Sequence, residues 1–129
     1  MATEATSGDD RRARGLEQYR AVYGDDAVVM ELGQAAFFDL MMENLFDSVW
    51  SRPGLDIPTR RLLVMGVLAA QHHFDTLQIQ FSRALETGEL SAEQVREVVI
   101  QLVPYVGYPS SGELFRVSET AIAQWSAKR

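Results

Sequence analysis

The fold of this chain is decided by residues 59–87, which read TRRLLVMGVLAAQHHFDTLQIQFSRALET. Asp56 can cap a helix that begins here, and Pro58 is tolerated in a first helical turn. Gly88 follows the stretch, and glycine is a common helix stop signal. The sequence therefore predicts one long helix over residues 59–87.

A second long helix is predicted over residues 27–50, AVVMELGQAAFFDLMMENLFDSVW, which lack proline and contain one glycine, Gly33. The apolar residues of this stretch cover most of the helix circumference instead of one stripe, so the helix has to be buried on more than one side. In a chain of this size we predict that another subunit covers the second side. The alternative is a central core helix in a monomer.

Shorter helices are predicted on both sides of these two. One covers residues 10–22, and another begins at Ser91, where Gln94 three residues later forms a capping box. Gly107 ends that helix, and Pro109 opens the last one. No strand alternation is visible. We therefore predict an all-α fold of five or six helices.

The domain organisation follows from the length of 129 residues, which is enough for one domain. Residues 1–9 are small and polar, and we expect a flexible N-terminus there. Residues 10–129 are predicted to form a single helical domain.

Composition excludes several classes of protein. The net charge of −6 disfavours a nucleic-acid partner, because phosphate binding needs a basic face. There are no cysteines, so disulfide scaffolding and thiolate catalysis are excluded. The longest apolar run, residues 62–70, is far too short to span a membrane, and the N-terminus lacks the apolar core of a signal peptide. The chain is therefore expected to be cytoplasmic.

Two short blocks carry a family resemblance. Residues 49–55, VWSRPGL, are followed by Thr59-Arg60, and residues 95–98, VREV, are followed by residues 104–109, PYVGYP. In this order and spacing the blocks resemble the two signatures of carboxymuconolactone decarboxylases. The resemblance implies an all-α fold related to the alkyl hydroperoxidase D-type proteins and assembly into trimers or hexamers.

The chain departs from both branches of that group at the positions that carry chemistry. The peroxidase branch has a Cys-x-x-Cys pair and a histidine where this chain has His73, Thr76 and Gln80, so thiol peroxidase activity is excluded. In the decarboxylase branch, the resemblance places a glutamate and a histidine at Thr76 and Gln80. A neutral amide cannot exchange a proton at neutral pH. Either the acid or base has moved, or the protein orients its substrate without protonating it, or it is not an enzyme.

Candidate catalytic residues lie close to those positions. On a continuous helix, His73, Thr76 and Gln80 share one face. We predict that His73 moves a proton, that Gln80 holds a carbonyl or hydroxyl group, and that an arginine, Arg60 or Arg61, steadies developing negative charge. The alternative for His73 is a surface or interface residue without a chemical role. A metal site at the adjacent histidines is disfavoured, because neighbouring helical residues diverge.

Further residues are candidates for substrate contact. Each has a structural alternative: the arginines can pair with helix-capping acids, the aromatic residues can fill the core, and the glutamate can reach solvent. The predicted substrate-binding residues are Arg52, Arg60, Glu43, His72, Thr76, Trp50 and Tyr105.

The sequence thus predicts a cofactor-independent lyase or isomerase. Its substrate would be a small cyclic carboxylated, lactone or polyketide-like molecule, and its reaction a decarboxylation or a proton transfer. The alternative is an oligomeric binding or scaffold protein that kept the fold and lost the chemistry. Neither a nucleic acid nor a membrane is an expected partner.

Overall fold

The computed structural model describes residues 8–129, and within that range every regular element is helical. The elements are α1 (Gly8–Tyr23), α2 (Ala36–Met41) continued by a π-helix (Met42–Trp50), α3 (Ile57–Ala70), α4 (Phe74–Thr87), α5 (Ala92–Val106), a 3₁₀ turn (Tyr108–Ser110) and α6 (Ser111–Ala127). The predicted all-α fold is confirmed.

The described residues divide into two compact units, of which the first ends at Ile57 and the second begins at Pro58. The flexible N-terminus predicted for residues 1–9 falls mostly outside the described residues, although Gly8 and Asp9 already belong to α1. The prediction of a single domain stays a prediction.

In the first unit, α1 lies directly against the π-helix. A Cβ placed on Gly15 would stand 1.8 Å from the carbonyl oxygen of Met42, so the two backbones meet where only glycine fits. Aromatic rings fill the space beside this contact. Tyr19 meets Phe46 edge to face at 5.1 Å, and Phe46 stacks on Trp50 at 6.0 Å.

The predicted helix over residues 27–50 is wrong in its first half. Residues 24–35 form turns and extended chain, and Gly33 adopts a φ of +83°, which a continuous helix does not permit. Side chains stabilise this path: Arg12 donates from Nε to Asp39 Oδ1 at 2.6 Å and from Nη2 to the carbonyl of Met30. The Gly33 N–H donates to Asp39 Oδ2 at 3.0 Å. The contacts of Arg12 with Met30 and Asp39, which lie 18 and 27 residues away in the chain, outweigh the helical preference of the segment.

Replacement of Asp39 by asparagine is expected to lower the melting temperature at neutral pH. The hydrogen bond from Arg12, assisted by that from the Gly33 N–H, holds the pKa of the Asp39 carboxyl below its ordinary value of 3.8. A lowered pKa stabilises the fold above the ordinary pKa, and that contribution is lost as the pH falls through the lowered pKa. Melting curves of wild type and Asp39→Asn should therefore converge in acid. Asp25→Asn, at an exposed turn position, is the control. A gap that stays constant from neutral pH to about pH 2 would contradict this account.

In the second unit, α4 and α6 contribute most of the core. Local rules place its helix ends correctly. Ser91 accepts from the Gln94 N–H and Gln94 accepts from the Ser91 N–H, so the predicted capping box is confirmed. Gly88 ends α4 in a left-handed conformation, and α5 ends before Gly107. The core consists of Met65, Ala69, Leu77, Phe81, Ala84, Leu85, Val95, Val103, Leu114, Val117, Ala121 and Ile122.

The continuous helix predicted over residues 59–87 is also wrong, because it is broken between Ala70 and Phe74. The His73 N–H donates to Leu68 O at 2.8 Å, and the His72 N–H donates to Ala69 O at 3.2 Å. This pair of bonds is the Schellman arrangement, in which one residue turns left-handed just after a helix end. That residue is His72, with a φ of +62°. Neither glycine nor proline occurs at the break, so the residue types there do not indicate it.

Large apolar side chains remain exposed on both units, among them Phe37 at 65% and Phe115 at 63%. Such surfaces are typical of proteins that associate. Assembly into trimers or hexamers stays a prediction. Among residues 8–129, no helix combines the length and the apolar character that crossing a lipid bilayer requires.

Candidate active site

A buried ion pair links three elements of the second unit. Arg61 on α3 donates from Nε to Glu89 Oε1 at 2.8 Å and from Nη2 to Glu89 Oε2 at 3.1 Å. Its Nη1 donates to Gln80 Oε1 at 2.8 Å. The Arg61 side chain is 1% exposed and the Glu89 side chain 11%. Two parallel bonds to one carboxylate are the strongest geometry that a guanidinium offers.

A small cavity of about 40 Å³ lies beside this pair. Its lining residues are Pro58, Arg61, Leu62, Met65, Ala84, Glu89 and Leu90. A volume of this order holds one or a few water molecules, not an organic acid. The buried network of Arg61, Gln80 and Glu89 is therefore closed to substrate in this conformation.

A larger depression of about 430 Å³ opens on the surface of the same unit. The α3–α4 turn and the start of α4 supply one wall, and α6 supplies the other. It is lined by His72, His73, Phe74, Asp75, Thr76, Glu113 and Arg116. Its size falls in the range of small-molecule sites, and its polar lining suits an acid.

One wall of this histidine depression is the ring of His72. The ring stacks on Phe74 with centroids 5.5 Å apart and an interplanar angle of 14°. Its Nε2 lies 3.3 Å from the hydroxyl oxygen of Ser110. His73 is the N-cap of α4, although its side chain does not cap the helix.

The opposite wall carries a cation and a carboxylate. Arg116 donates from Nη2 to Glu113 Oε2 at 2.8 Å. This bond, with the charge of Arg116, holds the pKa of the Glu113 carboxyl below its ordinary value. The same bond, with the charges of Glu113 and Asp75, raises the pKa of Arg116. Both side chains are about half exposed, so the pair is accessible to an incoming anion.

The structure separates the predicted catalytic residues into two places. His73 and Thr76 line the histidine depression, together with His72. Arg61 and Gln80 are buried in the ion-pair network. The helix break between Ala70 and Phe74 takes His73 out of α4, so the shared helix face that was predicted for His73, Thr76 and Gln80 does not exist.

The remaining predicted residues lie elsewhere. Trp50 is 6% exposed within the aromatic cluster of the first unit. The Glu43 carboxylate lies beside the start of α1, with Oε1 3.1 Å from the Cβ position of Gly8. Arg52 is exposed, Arg60 is half-buried, and Tyr105 is 84% exposed. The described contacts place none of these five on the histidine depression.

Sequence reasoning missed four charged residues that line the depression or close the buried network. They are Asp75, Glu113, Arg116 and Glu89. The signal for Glu113 and Arg116 was their spacing of three on a helix that opens just after the second motif block. Glu89 carried no local signal, because its partner Arg61 is 28 residues away.

Comparison with known proteins agrees with this architecture. The model of the carboxymuconolactone decarboxylase family matches residues 35–120. The chain belongs to this family. Two relatives of this family member are named as decarboxylases. A nitrosuccinic acid decarboxylase of Metarhizium robertsii is 30% identical over 95% of this chain and 90% of the relative. A 4-carboxymuconolactone decarboxylase of Acinetobacter baylyi is 28% identical over 86% of each chain. No solved structure matches.

The family match includes both parts of the candidate site. Residues 61, 80 and 89 of the buried network and residues 72–76, 113 and 116 of the histidine depression fall within residues 35–120. The family match therefore covers the segment that holds the candidate site, and the relatives support an enzyme of the decarboxylase type.

Proposed function

We propose that this protein is a decarboxylase of a small carboxylic acid and that the reaction takes place in the histidine depression. The observation that carries the proposal is the composition of that depression. Two histidines and an arginine line one space of about 430 Å³ in a member of a family with decarboxylase relatives.

The chemistry requires an anion site, an electron acceptor and a proton. Loss of CO₂ breaks a carbon–carbon bond and leaves its electron pair on the remaining carbon. The names of the two relatives' substrates describe a carboxyl group together with a nitro group or a lactone, either of which can accept such a pair. We propose the same class here: a small acid with an electron-withdrawing group near the carboxylate that leaves. Since nitrosuccinic acid is not cyclic, a ring is not required.

Arg116 is the proposed anchor for a carboxylate of the substrate. Its guanidinium already holds the Glu113 carboxylate, so a substrate carboxylate can take the place of Glu113 without new desolvation of a buried charge. The histidine pair supplies the proton, and the Thr76 hydroxyl stands beside it as a hydrogen-bonding group. The buried network of Arg61, Gln80 and Glu89 then has a structural role, because its hydrogen bonds hold α3, α4 and the turn at Glu89 together.

The test is CO₂ release from nitrosuccinic acid and from 4-carboxymuconolactone by the purified full chain. Arg116→Met is expected to raise KM about 10-fold to 100-fold, the loss that accompanies one charge-assisted carboxylate contact. Arg96→Met is the matched control, because Arg96 forms a comparable exposed pair with Glu119, outside the depression. A KM that stays the same in Arg116→Met, on an active wild type, would remove Arg116 from the site.

The second candidate function is a binding protein without chemistry. The observation in its favour is Gln80, a neutral amide locked to Arg61, at a position where the decarboxylase resemblance places a histidine. The same assay separates the two. A protein that binds these acids in calorimetry and releases no CO₂ from them would support the binding protein against the enzyme.

A further inference from the structure

His72 occupies a backbone position that normally belongs to glycine. Among residues 8–129 it is the non-glycine residue with a positive φ, +62°, and it sits at the left-handed position of the Schellman turn that ends α3. A residue other than glycine has a higher conformational energy at this position, although the increase is smaller for histidine, asparagine and aspartate than for most residues. Residues held in this way cluster at active sites.

The His72 ring is also fixed on two sides. Phe74 supports one face of the ring in a near-parallel stack at 5.5 Å, which sets the plane of the imidazole. Ser110, from the 3₁₀ turn before α6, lies 3.3 Å from Nε2 and is 38 residues away in the chain. An imidazole whose plane and one nitrogen are set by neighbours presents its other nitrogen in a defined direction. The left-handed backbone places His72 on the wall of the histidine depression, and the contacts with Phe74 and Ser110 orient its imidazole there.

We infer that His72, not His73, delivers the proton in the proposed decarboxylation and that Ser110 is its positioning residue. The inference rests on the proposed function. As CO₂ leaves, the electron pair of the broken bond moves onto the substrate's acceptor group, and the Nδ1–H of the His72 imidazolium then protonates the carbon. The neutral ring keeps its proton on Nε2, which donates to the Ser110 hydroxyl, and solvent restores the proton on Nδ1.

The charged groups that face this imidazole come from both walls. Asp75 on α4 and Glu113 and Arg116 on α6 line the same depression, and His73 is adjacent in the chain. Arg116 is bonded to Glu113. A substrate carboxylate that takes this place on Arg116 would release the Glu113 carboxylate, which would stay close to the reacting groups. The depression thus keeps a negative charge near the imidazolium before and after the substrate binds.

The activity test uses His72→Asn, which tolerates the left-handed backbone and cannot donate as an acid. On whichever of the two acids the wild type decarboxylates, kcat should fall about 100-fold or more. The matched variant His73→Asn should lose less. Ser110→Ala should lower kcat about threefold to tenfold with KM unchanged, the factor of one hydrogen bond, and Ser110→Thr should restore it. The melting temperature of His72→Asn should stay close to that of the wild type, which would show that the loss of kcat is not caused by unfolding.

A spectroscopic readout tests the positioning without substrate. In nitrogen-15 spectra of the histidine side chains, the neutral His72 ring should show the tautomer with the proton on Nε2, and Ser110→Ala should yield a mixture of tautomers. Identical spectra for wild type and Ser110→Ala would remove the role of Ser110. An active wild type with His72→Asn within about threefold of its rate would overturn the assignment of His72 alone. A wild type that releases no CO₂ from either acid would overturn the proposed function and this inference with it.

Discussion

Gly15→Ala is expected to lower the free energy of unfolding by at least about 3 kcal/mol, the upper end of the usual range for overpacking. The added Cβ would lie 1.8 Å from the Met42 carbonyl oxygen and 2.5 Å from its carbon. Both are backbone atoms of the π-helix, so no side chain can rotate away and α1 has to move. Urea denaturation followed by circular dichroism measures the effect.

Gly66→Ala is the matched control for this change. Gly66 also lies inside a helix, α3, but its Cβ would meet only Leu102 Cδ2, at an ordinary 4.0 Å. Alanine is the better helix former, so Gly66→Ala is expected to stabilise the protein by about 0.5–1 kcal/mol. If both variants unfold at the same urea concentration as the wild type, the close contact of α1 with the π-helix is not as described.

Arg61→Met is expected to destabilise the protein by about 3–5 kcal/mol, as removal of one partner from a buried ion pair typically does. The substitution keeps an unbranched side chain of similar length and removes the hydrogen bonds that Arg61 donates to the Glu89 carboxylate and the Gln80 amide oxygen. Glu89 retains the hydroxyl of Thr87, which donates to its Oε2 at 2.6 Å and offsets a small part of the loss. Chemical denaturation of the purified variants gives the difference.

Two further variants distinguish burial from charge. Arg96→Met makes the same chemical change at an exposed pair, where Glu119 accepts at 3.0 Å, and it should change stability far less. Arg61→Met combined with Glu89→Leu removes both members of the buried pair and should recover much of the stability lost in the single variant. Additive losses in the double variant would show that Arg61 and Glu89 do not interact.

Most helix ends follow from the residues next to them in the sequence. The capping box at Ser91 and the stops at Gly88 and Gly107 follow from side chains within a few residues of the backbone groups that they satisfy. The break at His72 does not follow from local preference, because its residues would also fit a helix interior. Its cause is a conformation that the surrounding structure imposes on a non-glycine residue.

The candidate site divides in the same way. Residue types and family spacing predicted residues 61, 72, 73, 76 and 80 as site residues. In the structure they lie in the buried network or line the histidine depression. Sequence spacing could not reveal that Gln80 is bonded to Arg61 while His73 faces a separate depression. The spacing of Glu113 and Arg116 indicates that the two share a helix face, but not what that face meets. The sequence also does not indicate that Ser110, in the 3₁₀ turn before α6, lies beside the α3–α4 turn.

The sequence by itself determined an all-helical chain, most of its helix ends, the absence of thiol chemistry and the family, because each depends on residue type and short-range order. Tertiary structure alone decided where two long helical stretches are interrupted, which carboxylate neutralises Arg61, and which side chains share the depression with His72. Those features depend on contacts between residues far apart in the chain, where packing and charge pairing outweigh local preference.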